Sequence, residues 1–179
     1  ESAKSCGADT VVLDDGWFGA RNNDRAGLGD WVVNTEKLPG GLKPIIDHCH
    51  NNGLKFGLWV EPEMISKDSD LFRAHPEYAM AIPNVDPVER RWQLAIDMCN
   101  DEVCDYLANT LIKLFKDVGV DYVKWDHNRA FADVYSSKLI NQGEYHYKYY
   151  ENQYKLLDKI TKACPTVLFE SCASGGCRY

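Results

Sequence analysis

No apolar run in this 179-residue chain approaches the length of a membrane-spanning helix, and its first residues do not read as a secretion signal. Positive charge is also in short supply. Twenty Lys and Arg against 27 Asp and Glu leave a net charge of −7, which argues against nucleic acid or an anionic membrane as partner. Cysteine pairing signals are missing as well. Cys6, Cys49, Cys99, Cys104, Cys164, Cys172 and Cys177 are odd in number and irregular in spacing, with no C-x-x-C. That pattern predicts free thiols in a reducing, cytoplasmic compartment rather than a disulfide framework or a zinc site. His48 and His50 flank Cys49 and point in different directions on a helix, while His75, His127 and His146 have no metal spacing. Neither G-x-G-x-x-G nor a P-loop occurs, and Ser174-Gly175-Gly176 resembles a nucleotide loop only vaguely.

What is present suits one domain with a sizeable core, since 45% of the residues are hydrophobic. Glu1 to Cys6 reads as the last turn of a helix stopped by Gly7, and Leu42 to Asn52 as a helix with Leu42, Ile45, Ile46 and Cys49 on one face. A short helix is expected at Asp68 to Ala74. A longer one starts at an Asn100 cap and carries Val103, Leu107, Leu111, Phe115 and Val118 on one stripe to Gly119. A Tyr-rich helix runs from about Gly143 to Cys164, where Pro165 forbids continuation. Between them lie four apolar runs that read as strands buried on both faces: Thr10 to Leu13, Lys55 to Val60, Asp121 to Trp125 and Thr166 to Phe169. Gly7 to Asp14 aligns without gaps on Gly119 to Asp126, an internal repeat of helix stop, strand and terminal Asp. Serial helix–strand units imply a parallel sheet with right-handed crossovers. Long loops after the strands and short turns before them are the habit of a β/α barrel, of which four units make a segment.

All four strands end on acids: Asp14 and Asp15, Glu61 and Glu63, Asp126, and Glu170. Parallel strand ends converge on one rim, so these carboxylates can share a cleft. Asp126, in Lys124-Trp125-Asp126-His127-Asn128-Arg129, is the focus. It reads as a helix cap or as a carboxylate kept ionised by Lys124 and Arg129, fit to be a nucleophile, a general base or a metal ligand. The fixed cation of Lys124 argues against a metal. Trp17, Trp31, Trp59, Trp92 and Trp125 read either as core or as ring faces for the apolar side of a sugar.

Six ordered motifs carry a resemblance. Leu13-Asp14-Asp15-Gly16-Trp17-Phe18, Gly29-Asp30-Trp31, Phe56 to Met64, Arg73-Ala74-His75-Pro76, Lys124-Trp125-Asp126 with Asn128-Arg129, and Glu170-Ser171-Cys172 closely resemble α-galactosidases of glycoside hydrolase family 36. The resemblance implies a (β/α)8 TIM barrel of which residues 1–179, part of that single catalytic domain, cover roughly strands two to five. It also implies hydrolysis of terminal α-galactosides such as melibiose and raffinose with retention of configuration, no metal or organic cofactor, and a homotetrameric parent enzyme. By motif, Asp126 is the nucleophile, Lys124 and Asn128 bind the sugar around it, and Asp14 and Asp15 take the 4- and 6-hydroxyls. Trp59 contacts the ring, Arg91 lies at the subsite edge, and Cys172 and Gly176 lie on the 2-hydroxyl side.

Two positions depart from the pattern, His127 in place of a frequent Met and Cys177 in place of Gly or Asn. The family's acid/base Asp belongs to the next strand, beyond Tyr179, so the 179 residues alone are expected to be inactive. Alternatives that share the nucleophile are an α-N-acetylgalactosaminidase and a galactosyl transferase of the raffinose or stachyose type. A non-catalytic galactose-binding module is the alternative of a different class.

Overall fold

Gly119 ends a helix three residues before the next strand begins. Its φ of +74° is left-handed backbone that glycine adopts without a steric penalty, and its N–H closes the helix on the Phe115 carbonyl. In the computed structural model, which describes residues 1–174, 176 and 178, such turns feed four strands into one sheet. The elements in chain order are α1 (Ser2–Ser5), β1 (Thr10–Leu13), α2 (Lys43–Asn51), β2 (Lys55–Val60), β3 (Met64–Ile65), α3 (Asp70–Ala74), β4 (Leu94–Ala95), α4 (Asp101–Val118), β5 (Tyr122–Trp125), α5 (Tyr145–Ala163) and β6 (Leu168–Ser171). The sheet order is β1-β2-β5-β6, parallel throughout, as the helix–strand alternation predicts.

α4 forms where the pattern puts it. The Asn100 side chain accepts from the Glu102 N–H at 3.1 Å, and Asp101 and Glu102 sit in the first turn, where negative charge suits the helix dipole. Its stripe of Val103, Leu107, Leu111 and Phe115 is buried and joins one continuous core with Leu156 and Ile160 of α5 and Phe56, Leu58 and Val123 of the sheet. Each such side chain contributes roughly 1.5–3 kcal/mol through burial.

Gly57, in the middle of β2, lets the neighbouring strands close over it. A Cβ there would lie 2.9 Å from Val12 and 3.1 Å from Tyr122. β1 and β5 therefore approach each other across β2, which matters for Lys124 below.

Three expectations need correction. The last strand starts at Leu168, two residues later than the apolar run suggests, because Val167 is still turned back on the Cys164 carbonyl. Glu170 consequently lies inside β6 rather than past its end. Burial on both faces holds only for β2 after its first residue. β5 alternates buried and half-buried positions, and β1 and β6 are open edges, with Leu168 64% exposed. Finally, the long loop after β2 is not a loop throughout, since β3 and β4 pair antiparallel within it. Among the described residues no helix is long and apolar enough to cross a membrane, and the six described cysteines are free. Cys177 lies outside the described residues.

Candidate active site

The register decides which side chains meet. Trp59, Lys124 and Glu170 are lateral partners in one row across β2, β5 and β6. Asp126 follows Lys124 by two residues and leaves the sheet with its N–H on the Val60 carbonyl at 2.8 Å. Alternation along a strand returns Asp126 to the face that carries Lys124 and Trp59.

Asp126 is only 6% exposed yet saturated with donors. Its Oδ2 accepts from Asn128 Nδ2 at 2.6 Å and from Trp59 Nε1 at 3.0 Å, and its Oδ1 accepts from the His127 N–H at 2.9 Å. Burial alone pushes its pKa up. The bonds from Asn128, Trp59, the Cys172 thiol and the His127 amide outweigh burial and hold the carboxyl below its ordinary value. The direction is the expected one, with hydrogen bonds as the leading cause and the Lys124 charge acting beside them. Lys124 Nζ is turned to Asp14 Oδ2 at 2.9 Å, across the narrow place made by Gly57, and that bond raises the lysine's pKa. The Arg129 guanidinium is spent on carbonyls, those of Ala130, Val88 and Gln93. No α-helix starts at Asp126, so it does not act as a helix cap.

Asp15 is gripped by Arg21, whose Nε and Nη2 reach its carboxylate at 2.9 and 2.7 Å. Asp14 holds the Asp15 N–H at 2.9 Å. Of the other predicted residues, Cys172 joins Asp126 directly. Cys172 donates to Asp126, and a thiol beside a carboxylate has its pKa raised. Gly176 has φ +123°, and its N–H reaches the Ala173 carbonyl at 2.9 Å. Arg91 stands exposed on the tip of a two-residue turn, with φ of +54°. Glu170 accepts from the Tyr122 hydroxyl at 2.6 Å. Four of the five tryptophans are core; Trp17, Trp31 and Trp59 cluster with Phe18, and only Trp92 is open to solvent.

Two buried acids behind the site were legible only as members of the strand-end set. Glu61 Oε1 accepts from the Asn128 N–H at 2.5 Å, and its Oε2 accepts from Gln93 Nε2 at 3.2 Å. Burial, with the Asp126 charge added, pushes Glu61 up to about 7. Glu63 has no exposed surface and takes hydrogen bonds from Trp125 Nε1, Arg178 Nε, Gln153 Nε2, His127 Nδ1 and the Tyr149 hydroxyl at 2.9 to 3.3 Å. Burial opposes its charge, but the bonds and the charges of His127 and Arg178 win and hold its pKa below the ordinary value. His127, the unusual neighbour of the key Asp, thus serves Glu63 through its Nδ1. Arg21, Gln93 and Arg178 carry no local sequence signal, since each finds its partner across a loop. Among the described residues no group of three or more His, Cys, Asp or Glu is placed to hold a metal.

The arrangement is an ionised, buried carboxylate with a lysine–aspartate pair beside it, on the carboxyl ends of parallel strands. Residues 1–179 match the family model of the melibiases. The chain is 44% identical over 180 residues to the α-galactosidase AgaA of Geobacillus stearothermophilus, covering 99% of this chain and 25% of that protein. It is 43% identical over 181 residues to the α-galactosidase Mel36A of Lactobacillus acidophilus, covering 100% and 25%. The crystal structure of AgaA superimposes with a TM-score of 0.94 at 44% identity, over 99% of this chain and 25% of that one, and AgaA variants have been crystallised with raffinose and with stachyose. The chain spans about a quarter of the length of the curated relatives it matches. The likeness read from six motifs extends over every residue: the chain belongs to the melibiase family.

Proposed function

We propose that this chain supplies the nucleophile and the galactose-recognition side of an α-galactosidase active site, in a (β/α)8 barrel whose strands two to five are β1, β2, β5 and β6. The observation that carries the reading is the set of donors around Asp126, which keeps a buried carboxylate ionised and fixed in direction. Asp126 attacks the anomeric carbon of a terminal α-D-galactosyl residue. The glycosidic C–O bond breaks, its oxygen takes a proton from an acid on a following strand, and a galactosyl ester forms on Asp126. Water, deprotonated by the same acid group, then cleaves the ester with net retention.

Lys124 and Asn128 hold hydroxyls near the reacting carbon, and the Asp14–Asp15 pair accepts from the 4- and 6-hydroxyls. Trp59 lies under the ring, Cys172 and Gly176 lie on the 2-hydroxyl side, and Arg91 lies at the edge. The substrates of relatives such as AgaA point to galactosyl oligosaccharides. The test uses the full-length enzyme and a fluorinated galactosyl donor that forms the ester faster than it is hydrolysed. Peptide mass spectrometry is expected to find the label on Asp126. A label on Asp14, Asp15 or Glu170 overturns the assignment, and no covalent label with turnover intact argues for direct displacement by water.

A further inference from the structure

Trp92 is 45% exposed, whereas Trp17, Trp31, Trp59 and Trp125 are 2 or 3% exposed. It is nevertheless held firmly. Arg91 and Trp92 have φ of +54° and +55°, and the Arg90 and Gln93 backbones exchange hydrogen bonds of 3.2 and 3.1 Å around them. Positive φ at both central residues is the tight hairpin geometry that Asn-Gly normally fills, so two bulky residues there hold a strained backbone. The Arg25 guanidinium lies over the indole, 4.5 Å from its centroid. Arg25 belongs to the loop after β1, the loop from which Arg21 grips Asp15.

The base of the turn is tied to the nucleophile. Gln93 Nε2 reaches Glu61 at 3.2 Å, Glu61 receives the Asn128 N–H at 2.5 Å, and the Asn128 side chain reaches Asp126 at 2.6 Å. Arg129 anchors the same turn through the Val88 and Gln93 carbonyls at 3.1 and 2.6 Å. Trp92 therefore sits one residue from a chain of three hydrogen bonds that ends on Asp126, and it bridges the loops that follow β1 and β2. An indole presented to water on a strained, doubly anchored turn does nothing for the core.

We propose that Trp92, clipped by Arg25, is the platform on which the leaving-group sugar of an oligosaccharide stacks. The inference rests on the α-galactosidase reading and extends it outward from the galactose pocket. The apolar C–H face of a neutral hexopyranose covers the indole, while Arg91 and Arg25 stay beside it to donate to the ring's oxygens.

The test compares two substrates of the full-length enzyme: raffinose, which has a sugar leaving group, and α-galactosyl fluoride, which has a single atom. Trp92→Gly removes the ring and suits the left-handed backbone, so the turn persists. The raffinose-to-fluoride ratio of kcat/KM is expected to fall roughly tenfold in Trp92→Gly, to recover in Trp92→Phe, and to fall less in Arg25→Ala. An unchanged ratio in Trp92→Gly overturns the subsite, whatever the absolute rates. If Trp92→Gly fails to fold, Arg25→Ala decides on the same ratio. Absence of galactosyl fluoride turnover in the unsubstituted enzyme overturns the α-galactosidase reading instead, so the two failures are distinct.

Discussion

Asn128 joins Glu61 to Asp126: its backbone N–H lies 2.5 Å from Glu61 Oε1, and its side-chain amide lies 2.6 Å from Asp126 Oδ2. A second carboxyl is thereby fixed behind Asp126, and the two charges oppose each other. Glu61 yields, with its pKa pushed up to about 7 by burial first and by Asp126 second. When Glu61 is protonated it needs an acceptor, and Gln93 Oε1 is buried without a partner among the described residues. A turn of the Gln93 amide supplies one.

The sign of the pH effect follows. A carboxyl whose folded pKa exceeds its unfolded value binds more protons when folded, so its ionisation costs stability. That cost starts as pH rises past the ordinary 4.5 and is complete above about 7. Glu61→Gln is therefore expected to flatten the decline of stability between those two values and to gain up to about 3 kcal/mol at pH 8. Thermal melts of both proteins from pH 4.5 to 8 measure it. Parallel curves would show that Glu61 does not titrate in this window.

Glu63→Ala is expected to be far more damaging than its distance from any substrate suggests. It leaves Arg178, 1% exposed, without its carboxylate, and removing one member of a buried ion pair costs about 3–5 kcal/mol. Denaturant unfolding of the full-length enzyme checks this, and a loss under about 1 kcal/mol would mean that water takes over the five bonds. Glu63 ionises with a lowered pKa, so its contribution is present above the ordinary value and disappears as pH falls through the folded one.

Asp15→Asn is expected to lower both galactoside turnover and stability. Arg21 is 4% exposed on its side chain and would lose a charged, doubly bonded partner, a change of about 1–3 kcal/mol. Double substitution with Arg21→Met separates the roles. Stability returns if the loss was the orphaned guanidinium, while kcat/KM stays low if the carboxylate binds sugar.

The 179-residue polypeptide by itself is expected to self-associate and to leave melibiose intact. β1 and β6 present unpaired edges, and Leu168 lies on one of them, mostly exposed. Light scattering across a concentration series, beside an assay with melibiose, tests both. A monodisperse, active chain would contradict the barrel reading.

Much of this could be read from the sequence because it is local. The Asn100 cap, the α4 stripe and the strand ending at Asp126 each depend on neighbours a few residues away. What escaped reading depends on register and on loops. Lys124 is two residues from Asp126 in the chain, but its hydrogen bond goes to Asp14, two strands away, where Gly57 lets those strands close. The shift of β6 escaped for a similar reason. Val167 is as apolar as Leu168, and only its bond to Cys164 keeps it out of the sheet. The β3–β4 pair was hidden by its brevity, since two residues are too few to set a period. Glu61 and Glu63 were visible as acids. That one would be neutralised by burial and the other ionised by five donors required the fold.

Glu63 also ties an outer helix to the chain around Asp126. Tyr149 and Gln153 belong to helix α5, while Trp125 and His127 flank Asp126, and all four hang from one carboxylate. The outer helix is thus a brace for the segment that carries Asp126. A substitution far out on α5 that tilts the helix slightly changes the aim of Asp126 without touching the cleft. Thermal softening of that helix should erode catalysis before the sheet unfolds.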